Sequence, residues 1–139
     1  MKILIVQAPY YKEISNLLLD GTKEELNKDN IDFDVIDVPG ALEVPAAIAI
    51  ANKSKKYDGF VALGCVIRGD TTHYEDVTRE SAHGLNLLAI NEQIAIGNGI
   101  LTVENEDQAI IRADKNQKDK GGFAAKTCVE MIKLKKKFV

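Results

Sequence analysis

The sequence predicts an α/β fold, a three-layer α/β/α sandwich around a mainly parallel four-stranded sheet. Three observations predict it. Strand and helix patterns alternate along the whole chain in the order β-α-β-α-β-α-β-α-α, which builds a parallel sheet with right-handed crossovers and helices on both faces. Two strand segments, Ile3-Leu4-Ile5-Val6 and Phe60-Val61-Ala62-Leu63, are continuously apolar, as strands covered on both faces are. Three loops rich in Tyr, Pro or Gly follow the first three strands. These loops lie at the carboxyl ends, where open α/β sheets bind ligands.

Composition narrows the class further. A chain of 139 residues, 45% hydrophobic and 28% charged, fits one globular domain spanning 1–139 and can bury a core without disulfides or metal. A net charge of −3 gives no electrostatic footprint for nucleic acid. Cys65 and Cys128 lie far apart with no metal or redox spacing, so a reducing cytoplasm is expected. No apolar run reaches membrane-spanning length, and no leader pattern precedes the first strand.

In order, the loop after the first strand is Gln7-Ala8-Pro9-Tyr10-Tyr11. Its tyrosines either offer a ring for stacking or cover the top of the core. An amphipathic helix over about 12–30 carries Ile14, Leu17, Leu18, Gly21 and Leu26 on one stripe. Residues 31–38 alternate, with Phe33, Val35 and Ile36 among aspartates, and read as a strand near the sheet edge. In Pro39-Gly40-Ala41-Leu42-Glu43-Val44-Pro45, Gly40 permits close approach or positive φ, and Pro45 suits a helix start. Glu43 either complements a helix dipole or accepts from ligand hydroxyls. The helix after it, Ala46-Ala47-Ile48-Ala49-Ile50-Ala51, has no polar face, so a neighbouring subunit is expected to cover part of it. The third strand spans 58–67. A helix over 74–91 places Val77, Ser81, Gly84, Leu85 and Leu88 on one side, with His83 as surface or packing. The fourth strand, 94–102, is interrupted at Gly97-Asn98-Gly99, which suggests a bulge or a close backbone approach. A short helix over 106–113 contains Arg112, a polar loop covers 114–122, and a closing helix runs from 123 to about 138. The lysines that end this helix complement its dipole. The order is flavodoxin-like, with the ligand site at the ends of strands one and three.

The chain is organised around Gly64-Cys65-Val66-Ile67-Arg68-Gly69-Asp70-Thr71-Thr72-His73-Tyr74. It reads as strand, glycine-bracketed turn and helix, with Thr72 and Glu75 spaced as a capping box. A helix start offers N–H groups and a positive dipole end to an anion such as phosphate. His73, at the first helical position, can move a proton near neutral pH. The plainer reading is that Gly and Thr serve only the turn and the cap.

This segment resembles the signature of the lumazine synthase family. So do Pro39-Gly40-Ala41-Leu42-Glu43-Val44-Pro45, the block Gly99-Ile100-Leu101-Thr102-Val103-Glu104-Asn105 with Gln108-Ala109 and Arg112-Ala113, and Lys120-Gly121. The resemblance covers residues 2 to about 131. It implies condensation of 5-amino-6-(D-ribitylamino)uracil with 3,4-dihydroxy-2-butanone 4-phosphate to 6,7-dimethyl-8-ribityllumazine, without metal or organic cofactor. It also implies roles by position. Tyr10 would lie over the pyrimidine; Ala41 and Leu42 backbone and the Glu43 carboxylate would hold the ribityl chain. Cys65, Val66 and Ile67 would line the pyrimidine pocket through backbone groups. Asp70 and Thr71 would bind phosphate through main-chain N–H, and His73 would transfer protons. Asn98, Arg112 and Lys120 would come from an adjacent subunit, with Arg112 gripping phosphate.

The chain departs from the family pattern in three places. Asn98 stands where many relatives have a stacking Phe, Leu42 replaces a common aromatic, and the chain begins with only Met1-Lys2 before the first strand. The short start favours a homopentamer over a sixty-subunit capsid, and riboflavin synthase is a candidate partner. The alternative is a non-catalytic lumazine- or flavin-binding scaffold of the same fold. A signalling receiver would need acidic residues at strand ends that carry Gln7-Ala8 and Gly64-Cys65. A flavodoxin would need a Ser/Thr/Gly-rich loop where Pro9-Tyr10-Tyr11 stands.

Overall fold

Strands β1 (Lys2–Gln7), β2 (Asp32–Asp37), β3 (Gly59–Ile67) and β4 (Ala95–Val103) lie parallel in the order β2-β1-β3-β4 in the computed structural model, which describes residues 1–139. The continuously apolar β1 and β3 are the central strands, with Ile3, Ile5, Val6, Val61 and Ala62 fully buried. The aspartate-rich β2 is an edge strand, as its alternation implies.

Helices α1 (Lys12–Lys28), α4 (Glu106–Ala113) and α5 (Lys120–Phe138) cover one face of the sheet over the larger core, which includes Ile14, Leu18, Ala109, Ala125 and Ile132. Helices α2 (Val44–Asn52) and α3 (His73–Asn91) cover the other face over a smaller core around Val44, Ile48, Phe60 and Leu85. The α2 layer is thin. Within one chain only Val44 and Ile48 of α2 are buried, and Ile50 is 73% exposed, so the helix lacks the all-round cover its composition leads one to expect.

Two local expectations are corrected. The fourth strand is not interrupted: it pairs with β3 in unbroken register, Gly97 opposite Val61 and Gly99 opposite Leu63. Of the two expectations for its glycines, the bulge fails and the close backbone approach holds: they admit α5. A Cβ on Gly97 would overlap the Ala124 carbonyl oxygen and stand 2.7 Å from the carbonyl carbon. Burial along β4 therefore alternates strictly, with Ala95, Gly97, Gly99, Leu101 and Val103 buried on the larger-core face, and Asn98 and Thr102 exposed on the other. Helix α5 begins at Lys120, three residues before the expected start. Asp119, at φ 47°, caps it by accepting from the Gly122 N–H at 3.1 Å. The two glycines that read as a loop are helical because α1 packs on them, with Thr22 Oγ1 3.0 Å from Gly121 O.

Candidate functional site

Pairing of β1 with β3 ends at Gln7 opposite Leu63, followed by a last bond from Ala8 N–H to Leu63 O at 2.9 Å. Strand β3 continues to Ile67 with only β4 beside it. Amide groups of successive strand residues point to opposite sides. Arg68 N–H donates to Val103 O of β4 at 2.9 Å, so Gly64 and Val66 also turn their amides to β4. Cys65 and Ile67 turn theirs across the edge that β1 has vacated. The Cys65 side chain packs into the larger core, where burial pushes the thiol up to about 11. It is a neutral thiol at physiological pH, so what it offers here is backbone. Gly64 lies inside β3 and Gly40 is extended at φ −155°; neither makes the positive-φ turn that the sequence allows.

Three loops surround this opening. Tyr10 is 76% exposed and meets Tyr11 edge-on at 4.9 Å; Tyr11 packs against the core, so the core-covering reading holds for Tyr11 and the Tyr10 ring stands open to solvent. A single 3₁₀ turn, Ala41–Glu43, packs against α3. Ala41 is buried and Leu42 and Glu43 are exposed. Gly40 makes room for the Glu43 carboxylate, since a Cβ there would stand 3.0 Å from its Oε1.

The third loop, residues 68–72, leads into α3, with His73 exposed at the first helical position. The expected capping box does not form: Thr72 makes no side-chain cap bond, and His73 N–H donates to Thr71 Oγ1 at 3.2 Å. Glu75 is taken by the Arg68 guanidinium, because a cation outcompetes a neutral amide for a carboxylate. The N–H groups of Gly69, Asp70, Thr71 and Thr72 donate to no protein acceptor. They stand free at the start of a 19-residue helix, the arrangement that binds anions.

Asn98, Arg112 and Lys120 come together elsewhere. They line a cleft of about 270 Å³ on the free edge of β4, across the β3–β4 ladder from the β1/β3 opening. Asn98 Oδ1 accepts from Ile100 N–H at 3.0 Å, which leaves its amide NH₂ outward. Of the three arginines in the chain, Arg68 and Arg79 have carboxylate partners. Arg112 has none and donates only to Gln108 O at 3.1 Å. Lys120 also forms no ion pair. One chain thus presents an amide-and-imidazole group at one side and a cationic cleft at the other.

Arg68 has no role of its own in the motif as it stands in the sequence. The signal available was Glu75 seven residues on; its second partner, Glu104, is 36 residues away. An apolar groove of about 290 Å³ between the C-terminal parts of α3 and α5 lies at the opposite end of β4, with Gln93 and Lys135 as the polar residues of its lining.

The family model described as 6,7-dimethyl-8-ribityllumazine synthase matches residues 1–136. Proteins of that name are similar over nearly the whole chain. The one from Bartonella bacilliformis is 56% identical over 138 residues, covering 98% of this chain and 91% of the relative. The Sphingopyxis alaskensis protein is 53% identical, covering 98% and 96%, and the Agrobacterium fabrum protein is 53% identical, covering 97% and 95%. Alike in sequence from end to end, this chain belongs to the 6,7-dimethyl-8-ribityllumazine synthase family.

Proposed function

We propose that this chain is a transferase that condenses 5-amino-6-(D-ribitylamino)uracil with 3,4-dihydroxy-2-butanone 4-phosphate to 6,7-dimethyl-8-ribityllumazine, the penultimate step of riboflavin biosynthesis. The observation that carries the mechanism is the row of unpartnered N–H groups at residues 69–72 beside His73. In this reading the phosphate sits on the amides of Asp70 and Thr71. The uracil amine attacks the ketone and water leaves to form an imine. Phosphate then departs by elimination, and the ribityl-bearing nitrogen closes the ring with loss of a second water. Each step moves a proton, and His73 at the helix start is the group placed to carry it. Backbone groups of Cys65 and Ile67 read the pyrimidine edge, Val66 contributes its side chain, and Tyr10 lies over the ring. The turn amides of Ala41 and Leu42, with the Glu43 carboxylate, take the ribityl hydroxyls.

The second half of the site comes from another copy. Arg112, without a carboxylate of its own, supplies a guanidinium that pairs bidentately with phosphate and stabilises it as it leaves. Lys120 and the Asn98 amide stand beside it in the cleft. The exposed Ile50 on a helix with no polar face supports association of copies. The assembly we favour is a homopentamer in the cytoplasm, with riboflavin synthase as the candidate consumer of product. Holding both reactants together accounts for much of the rate, since positioning can supply about 7–11 kcal/mol.

The test is to mix purified protein with both substrates and follow the lumazine by its fluorescence. Product well above the uncatalysed background is expected, with His73→Gln lowering kcat by about 100-fold or more, the range for a lost general acid–base. A folded protein without turnover, or an unaffected His73→Gln variant, refutes the assignment.

A further inference from the structure

Arg68 makes more directed contacts than any other side chain near the opening. Its Nη1 pairs with Glu75 on the first turn of α3, and its Nε lies 2.8 Å from Glu104 Oε2, just past β4. Its guanidinium lies over the Tyr74 ring, 4.3 Å from the centroid, and its own N–H is bonded to Val103 O. The segment it encloses has little else to hold it. Residues 69–72 donate no backbone hydrogen bond to the rest of the protein, and a Cβ on Gly69 would meet nothing within 4 Å. A planar cation that reaches two carboxylates and one ring at once closes the loop from above. A lysine, as a point charge, can serve only one of the three.

We propose that Arg68 is a positioning residue, clamped between α3 and the end of β4 so that the amides of residues 69–72 and His73 are preset for the phosphorylated substrate. The inference rests on the reading of this loop as the phosphate and proton-transfer segment. Arg68 is not itself the phosphate's cation: two carboxylates already exceed its single charge, whereas Arg112 has no such partner. The same cluster also touches this chain's own Arg112, which in this reading serves the neighbouring copy's site. Glu104 N–H donates to Gln108 Oε1 at 2.9 Å, and Arg112 donates to Gln108 O.

Exposed ion pairs contribute little to global stability, so the clamp acts locally, and that separates it from a merely structural role. Arg68→Met is expected to keep its melting temperature within a few degrees. It is expected to lose about ten- to a hundredfold in kcat/KM for the butanone phosphate, the scale of a displaced binding group. The KM for the ribitylaminouracil is expected to stay within about twofold, a change confined to one substrate's binding term, with Arg68→Lys recovering part of the loss. Glu104→Gln decides between clamp and ligand by sign. A clamp loses phosphate affinity when Glu104 is cut. A phosphate-binding arginine gains it by being freed, in salt of about 0.3 M where the missing charge is screened. Unchanged kinetics in Arg68→Met, an equal rise in KM for both substrates, or tighter inorganic phosphate inhibition in Glu104→Gln each overturn the proposal. If Arg68→Met does not fold, Glu104→Gln alone decides it. Should the wild type form no lumazine, the functional reading fails separately. Titration of the wild type and Glu104→Gln with inorganic phosphate, read at the backbone amide resonances of residues 69–72, then still tests the clamp: weaker shifts in the variant support it, and equal shifts overturn it.

Discussion

Replacing Gly97 by alanine tests why β4 sits where it does. Strand β4 carries Asn98 on one face, while α5, which begins with Lys120, packs on the other. The added methyl would overlap the Ala124 carbonyl oxygen, stand 2.7 Å from the carbonyl carbon and 3.2 Å from Cα. Carbon atoms pack at about 3.5–4.0 Å, so α5 must withdraw by about 1 Å to clear the carbonyl carbon and further to clear the oxygen. The obstacle is helix backbone, so no rotamer change relieves it. Overpacking costs about 1–3 kcal/mol and sometimes more, and a rigid obstacle puts this site near 3. For a chain of this size that lowers Tm by about 6–12 °C, at roughly 2–4 °C per kcal/mol. The assay is thermal unfolding by circular dichroism at one fixed protein concentration. Gly64→Ala serves as control: its methyl would meet Ala8 Cβ and Ile100 Cγ1 at an ordinary 3.7 Å. The control is expected between neutral and about 1 kcal/mol more stable, since alanine restricts the unfolded chain. A Gly97→Ala variant within about 2 °C of wild type refutes the close-approach argument on this scale.

Three further outcomes follow from the same geometry. Arg112→Ala is expected to lower kcat/KM for the butanone phosphate about ten- to a hundredfold, the equivalent of one charged hydrogen-bonding group at about 1.5–3 kcal/mol. Arg112→Lys should restore little, since the bidentate fork is lost; steady-state kinetics checks both. The Cys65 thiol, pushed up to about 11 by burial, is expected to resist iodoacetamide in the native protein at neutral pH. Cys65→Ala should turn over at close to the wild-type rate because the proposed pyrimidine contact uses its backbone, and mass spectrometry with the fluorescence assay reads both. The Glu75 carboxyl is held below the usual glutamate range, first by its hydrogen bond from Arg68. Its folded pKa is depressed, so its contribution to stability is present above the unfolded value, about 4.3, and is lost as pH falls through the folded one. Urea unfolding across that acid window should show a shallower pH dependence in Arg68→Met than in wild type.

What could be read from the sequence was local. Ile3-Leu4-Ile5-Val6 and Phe60-Val61-Ala62-Leu63 announce central strands because two-sided burial leaves no polar position. The three loops at the carboxyl ends, and His73 at the head of α3, follow from the same order of elements. What could not be read depends on partners distant in the chain. Gly97 and Gly99 look like a break until Ala124 is placed against them. Thr72 and Glu75 look like a capping box until Arg68, itself bonded to Glu104, takes the carboxylate. The Gly121-Gly122 pair looks like a loop until Asp119 caps it and α1 covers it. That Cys65 and Ile67 aim their amides at the opening while Val66 does not is a matter of where β1 stops. The placing of Asn98, Arg112 and Lys120 on the far side of β4 from His73 is likewise topology, which no single motif carries.

Subunit complementation tests the two-copy site most directly. His73→Ala and Arg112→Ala are each expected to keep at most about a tenth of wild-type activity at subsaturating butanone phosphate, and each leaves the other half-site intact. Unfolded together and refolded as a mixture, they would form rings in which about a quarter of the interfaces pair a wild-type His73 side with a wild-type Arg112 side, by random assortment around a closed symmetric assembly. Lumazine formation is then expected to recover toward that fraction of wild-type activity. A mixture as inactive as its two parents, although assembled to the wild-type size, would mean that His73 and Arg112 do not meet across an interface, and the two-copy site would have to be abandoned.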